Sequence, residues 1–183
     1  GVMALLVQKF GGTSVADAKA RLCLAAKVCE ARARGDEVVL VVSAMGRRGS
    51  PYATDTLLDL IGEYESRPDP LASDLLVSCG ETISACLVSA LLRSQGVPSV
   101  PMTAYSAGIR ADGPHGDATP TGVDASAIRD QLAAGAVPVI TGFQAIGASG
   151  ELVTLGRGGS DTSAVAVGAA LGAEYVDIYT DVP

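Results

Sequence analysis

Lys9 closes a short apolar run and is followed at once by Gly11-Gly12-Thr13-Ser14. A lysine with glycine backbone amides and two hydroxyls can cradle a polyphosphate. The order differs from the Walker loop, whose lysine follows its glycines. Alone, Lys9 would be an ordinary solvated strand-end lysine. What changes that reading is a second glycine-rich stretch, Leu155-Gly156-Arg157-Gly158-Gly159-Ser160-Asp161-Thr162, in front of a small-residue helical pattern. Ser160 or Asp161 is placed to cap that helix. Free amides and the helix dipole at such a terminus favour anions. Arg157 adds a fork suited to a carboxylate or phosphate. Asp161 is suited to fixing the Lys9 ammonium or assisting a metal. Two such elements face to face, with Gly158 and Gly159 in one and Gly11, Gly12 and Ser14 in the other, can hold the phosphates of a nucleotide. Phosphoryl transfer asks for charge neutralisation and in-line placement, with no enzyme nucleophile. Glu81, after Gly80 at an expected helix start, can hold an ammonium; it is equally read as a first-turn acid favoured by the dipole. An arginine and a glutamate across one cleft suit an amino acid zwitterion. His115, the only histidine, is read as a surface residue.

The elements that must position these groups follow from periodicity. Residues 4–10 read as a strand, and 17–34 as a helix whose buried face is Leu22, Ala25, Ala26 and Cys29. Residues 37–44 are a continuous Val/Leu run, as in a strand covered on both faces. Helices are expected over 54–65 and 71–79. A further one runs from Gly80 to 93, with Ile83, Cys86, Leu87, Ala90 and Leu91 inward. A strand follows at 97–103. Residues 105–121 read as a long loop or a small hairpin over the sheet edge, 124–134 as a helix and 137–142 as a buried strand. Residues 143–154 suggest a hairpin around Ala148-Ser149-Gly150. A strand at 175–180 closes the chain. The fold class is α/β: a three-layer sandwich with a mostly parallel central sheet. Ligands of such sheets sit beyond the carboxyl ends of the strands. Lys9 to Ser14, Ser43-Ala44 and Thr180-Asp181 all fall at such ends.

Composition narrows the partners. The 183 residues suit one domain, 48% of them hydrophobic, with 22 glycines and 4% aromatics. A net charge of −7 without a basic run argues against nucleic acid. The longest apolar runs fall short of the roughly 20 residues of a membrane span. Gly1-Val2 before Met3 reads as a cloning remnant, and no secretory signal is expected. Cys23, Cys29, Cys79 and Cys86 lack metal or redox spacing and are read as small buried hydrophobes in a reducing cytoplasm.

Taken together, Gln8-Lys9-Phe10-Gly11-Gly12-Thr13-Ser14-Val15, Val42-Ser43-Ala44-Met45-Gly46, Ser78-Cys79-Gly80-Glu81, Gly142-Phe143-Gln144, the 155–162 stretch and Tyr179-Thr180-Asp181-Val182 resemble the catalytic domain of the aspartate kinases, within the amino acid kinase fold family. The resemblance implies transfer of the ATP γ-phosphoryl group to the side-chain carboxylate of L-aspartate, with Mg2+, at the entry to lysine, threonine and methionine synthesis. It implies that Lys9 stabilises the transferring group and Asp161 organises the charges. Gly11, Gly12 and Ser14 would line the phosphates, and Thr180 and Asp181 would begin the nucleotide pocket. Ser43, Thr54, Glu81, Arg157 and Ser160 would hold aspartate. It also implies a cytoplasmic homodimer, and that residues 3–183 form an incomplete kinase domain, without the rest of the nucleotide site and the regulatory ACT domains. Two other readings stand beside it: a related kinase with a different carboxylate acceptor, and a non-catalytic binding or assembly subunit.

Overall fold

Strands on either side and helices on both faces explain the long Val/Leu run. In the computed structural model, which describes residues 4–156 and 158–179, strand β1 (Leu5–Phe10) leads through a 3-10 turn into helix α1 (Ala18–Ala33). Strand β2 (Glu37–Val42) then lies beside β1, its last five residues buried on both faces. Helices α2 (Thr54–Gly62) and α3 (Pro70–Ser94) follow, then β3 (Ser99–Met102) and the one-turn α4 (Ala104–Ala107). Strands β4 (Ile109–Asp112) and β5 (Thr119–Val123) precede α5 (Ser126–Ala133) and β6 (Val137–Thr141). The short strands β7 (Gln144–Ile146) and β8 (Leu152–Thr154) lead to α6 (Gly159–Leu171) and β9 (Tyr175–Tyr179).

The main sheet has the order β3-β6-β2-β1-β9 and is parallel throughout. Alternate side chains of its strands enter two cores. Leu6, Phe10, Leu40 and Val42 meet Leu24 and Val28 of α1 and Ala85, Val88 and Leu92 of α3. Val7, Val39, Val41 and Ile140 meet Ile128 of α5 and Ala164 and Val167 of α6. This is the three-layer α/β sandwich expected from the strand–helix alternation. Of the two readings of residues 105–121 the hairpin holds, β4 with β5, and the hairpin suggested around Ala148-Ser149-Gly150 forms as β7 with β8. What periodicity did not show is that they join, through a parallel contact of β4 with β7, into a second four-stranded sheet.

Several expectations are corrected. Residues 70–94 form one helix, not two, and it runs straight through Gly80. Its buried side carries Glu81, Ser84, Ala85, Val88, Ser89 and Leu92, so the expected face was rotated; Cys86 and Leu87 are exposed. By length and composition α3 is apolar enough to cross a membrane, unlike the shorter runs counted in the sequence, but here half of its most apolar window is buried within the fold. On α1 the buried residues are Leu24, Ala25, Val28 and Ala31, with Leu22 half exposed. The cysteines are not core residues: Cys23, Cys79 and Cys86 are exposed and Cys29 is partly so.

Candidate active site

Parallel strands deliver the carboxyl ends of β1, β2 and β6 to one side of the sheet. There Ser43 N–H donates to Phe10 O at 3.1 Å, and Gly142 N–H to Val42 O at 2.9 Å. Lys9 is the penultimate residue of β1, flanked by Val41 and Ile178 in register. Its stem is covered, and its Nζ lies 2.9 Å from Asp161 Oδ1 in the first turn of α6. The 3-10 turn that follows is pressed against the 44–46 segment. Gly46 N–H donates to Gly12 O at 2.9 Å. A Cβ on Gly12 would stand 2.5 Å from Gly46 O and 3.0 Å from Ala44 O, so glycine is required for this approach.

The start of α6 differs from the capping expected. Gly158 occupies the N-cap with a left-handed backbone (φ 87°), and no side chain caps the helix. Asp161 is taken by Lys9, and Ser160 Oγ accepts from Ser43 Oγ at 3.0 Å. The amides of Gly159, Asp161 and Thr162 bond to Gly156 O or Gly158 O. The positive character of this terminus therefore comes from Lys9 and the helix dipole more than from those amides.

A cleft of about 550 Å³ has walls that include Gly12, Ser43, Thr54, Glu81 and Ser160; Lys9 and Asp161 are not among its lining residues, and Ser160, next to Asp161 in the chain, links the pair to it. These five expected site residues are brought together. Glu81 enters from the middle of α3, which removes its reading as a first-turn acid. Its side chain is buried and its Oε1 has no hydrogen-bond partner. Burial pushes the carboxyl up to about 8, against the lowering effect of a backbone bond at Glu81 and of Gln144. Gly80 makes this reach possible: α3 passes so close to Ala44 and Tyr52 that a Cβ there would be 2.8 Å from Ala44 Cβ and 2.9 Å from Tyr52 O.

Other expected residues are placed apart. Ser14 lines a separate cavity of about 560 Å³ with Phe10, Lys27 and Tyr179. Gly11, Gly158 and Gly159 shape turns and are not among the residues lining the cleft. Arg157, Thr180 and Asp181 lie outside the described residues. His115 is not a free surface residue: it is largely covered and its Nδ1 lies 2.6 Å from Asp74 Oδ2. No local spacing pointed to that pairing, since Asp74 lies 41 residues away in the chain. Phe143 also lines the cleft and has a left-handed backbone (φ 72°), rare for an aromatic residue. Its N–H donates to Ser163 Oγ at 2.9 Å. The flanking Gly142 hinted at a tight turn there, but the sign of φ is invisible in the sequence.

Comparison with known proteins gives the family and the fold. A family model described as the amino acid kinase family matches residues 4–183. The chain is 46% identical over 180 residues to aspartokinase 1 of Bacillus subtilis, a match covering 98% of this chain and 45% of that protein. It is 44% identical over 181 residues to the aspartokinase of Mycolicibacterium smegmatis, covering 98% of this chain and 42% of the relative. The chain thus spans less than half the length of these curated relatives. Among solved structures, it superposes on aspartate kinase from Synechocystis with a TM-score of 0.80 at 39% identity, covering 98% of this chain and 29% of that one. On E. coli aspartokinase III in complex with aspartate and ADP the TM-score is 0.71 at 26% identity, covering 98% and 49%.

Proposed function

The chain belongs to the amino acid kinase family, and from that premise we propose that it carries the acceptor side of an ATP-dependent kinase acting on the side-chain carboxylate of L-aspartate. The observation that carries the reading is the Lys9–Asp161 pair, 2.9 Å apart, next in the chain to Ser160 of a cleft that also holds the buried Glu81, whose Oε1 has no hydrogen-bond partner. One acceptor carboxylate oxygen attacks the γ-phosphorus, the bond to the bridging oxygen of ADP breaks, and the products are ADP and an acyl phosphate. Lys9 neutralises charge on the transferring group, and Asp161 keeps its ammonium in place. Glu81 meets the amino group of the acceptor, and Ser43, Thr54 and Ser160 offer hydroxyls around it. Arg157 is assigned the carboxylate, and Thr180 and Asp181 the start of the nucleotide pocket. The complex of E. coli aspartokinase III with aspartate and ADP favours the same pair of ligands here.

Magnesium fits as an ion carried by the nucleotide phosphates. Among the described residues no three His, Cys, Asp or Glu side chains cluster into a cage, and Mg2+ at phosphate sites commonly uses one or two carboxylates. Asp161 is the carboxylate placed to share it; the ion would neutralise phosphate charge. A cytoplasmic homodimer is part of the proposal, its self-association supported by Leu71, Leu75, Cys79 and Leu87 exposed along α3.

A different carboxylate acceptor is the second reading. It is favoured by one contact: Ala118 of the 109–123 hairpin pairs with Leu155, so that hairpin borders the segment leading to Ser160 and Asp161. Hydroxylamine trapping with the full-length protein, ATP and Mg2+ tests both. Aspartyl hydroxamate supports the first; ADP release with another acid alone supports the second. Absence of both, with ATP binding intact by calorimetry, would leave a binding subunit.

A further inference from the structure

Asp74 is a buried acid that phosphoryl transfer leaves unused. It lies early in α3, its side chain 4% exposed. Three donors meet it: Thr154 N–H at 2.9 Å, Thr154 Oγ1 at 2.6 Å and His115 Nδ1 at 2.6 Å. A carboxylate only accepts, so the bonded imidazole tautomer carries its proton on Nδ1. Buried acids need such donors, and removing one leaves the others to carry the cost.

The segment around His115 is tied to the same strand in a second way. Ala118 N–H donates to Thr154 O at 3.1 Å, and Gly156 N–H donates to Ala118 O at 3.1 Å. The Asp117 carboxylate fills the space where a Cβ of residue 156 would stand, which accounts for glycine there. Just beyond, Gly159 N–H donates to Gly156 O at 3.1 Å. Then α6 begins, with Ser160 on Ser43 and Asp161 on Lys9. The same helix that carries Asp74 carries Glu81.

We propose that His115 is a positioning residue that, through Asp74, locks Thr154 to α3 and so sets where Gly156 and the start of α6 stand relative to Glu81. The two ends of a bound amino acid are then gauged from one rigid rod: Glu81 directly, and the start of α6 by way of Asp74. This consequence for acceptor binding rests on the kinase reading; the mechanical link does not.

Two variants of the full-length protein separate the possibilities. His115→Asn keeps an amide N–H near the place of Nδ1, whereas His115→Gln carries it one bond further. For His115→Gln, kcat/KM for the acceptor is expected to fall roughly 10- to 100-fold, as small displacements of positioned groups do. KM for ATP should stay within about threefold, and His115→Asn should recover most of the loss. Independently of any substrate, hydrogen exchange at the Gly156 and Gly159 amides, which donate to Ala118 O and Gly156 O, should speed up several-fold in His115→Gln relative to the Gly46 amide, and not in His115→Asn. Parental behaviour of His115→Gln in both readouts overturns the proposal. Equal losses in both variants, in step with melting temperature, also overturn it, because the ring would then be packing alone. Should the parent make no acyl phosphate from aspartate, the kinase reading fails, and the exchange ratio still decides the latch.

Discussion

Lys9 Nζ stands 2.9 Å from Asp161 Oδ1, joining the end of the first strand to the first turn of the last helix. The bond is one of charge: Oδ1 accepts no directed hydrogen bond among the described residues. The lysine is largely covered while the aspartate side chain is 46% exposed, so water can take over the carboxylate when the ammonium is removed. Lys9→Ala is therefore expected to keep its fold, with a melting temperature near the parent's. Turnover should fall by roughly 10²- to 10³-fold, the typical cost of deleting one preorganised electrostatic group. Hydroxamate formation and a circular dichroism melt on the same sample check both halves.

Glu81 ties acceptor binding to pH. Burial raises its carboxyl from 4.5 to about 8. The folded protein thus holds a proton that the unfolded chain releases, and stability from this group is fully present below the unfolded value. It is lost as pH rises through the interval between the two values. Glu81→Gln should abolish that part of the slope and be more stable than the parent at alkaline pH, by an unfolding free energy on the order of a few kcal/mol. An ammonium entering the cleft ionises Glu81, so near neutral pH the acceptor should displace close to one proton. Calorimetry in two buffers of different ionisation enthalpy reads that proton directly. A dicarboxylate without an amino group should release none.

Gly142 guards the hydroxyl pair at the cleft floor. A Cβ there would lie 2.8 Å from Ser160 Oγ and 3.1 Å from Val42 O. Ser160 Cβ would also be only 2.9 Å away, so rotating the hydroxyl does not relieve the overlap; the start of α6 must shift, and the bond from Ser43 to Ser160, 3.0 Å in the parent, is stretched or lost. Gly142→Ala is expected to raise KM for the acceptor several-fold while leaving KM for ATP nearly unchanged. Steady-state kinetics with each substrate varied in turn separates the two.

The sheet was legible because its signals are local. Glu37 to Val42 is a run that only a strand covered on both faces uses, and Gly35 after α1 has the positive φ (91°) that ends helices. Lys9 with Gly12, and Ser43 with Ser160, were recoverable because parallel strands deliver their carboxyl ends to one rim. The inner face of α3 was not, because its apolar residues run all the way round and small polar residues, Ser84 and Ser89, take the closest contacts. Helical periodicity has little to grip when the exposed side carries Leu71, Leu75 and Leu87. His115 was misjudged for a related reason: its partner Asp74 is far away in sequence, and a buried acid–imidazole pair leaves no spacing to read.

Gly80 shows the two levels in opposition. Inside an α-helix, replacing glycine by alanine normally gains about 1 kcal/mol of backbone entropy. The helical signal was weak enough at this residue to suggest a break, yet α3 continues through it. The reason is tertiary: the helix lies against Ala44 and the carbonyl of Tyr52, where an added Cβ would stand at 2.8 Å and 2.9 Å. Neither neighbour is a flexible side-chain end, so α3 itself must retreat. Overpacking of this kind costs about 1–3 kcal/mol, which outweighs the gain. Gly80→Ala is therefore expected to be destabilised by about 1 kcal/mol or more in chemical denaturation. Because the retreat carries Glu81 away from Ser43 and Thr54, KM for the acceptor should rise even where the protein is fully folded. Glycine to alanine at exposed Gly62, the last residue of α2, where the added Cβ meets nothing, is the control: it should leave KM near the parent's and, with no clash to offset the gain, raise stability by up to about 1 kcal/mol.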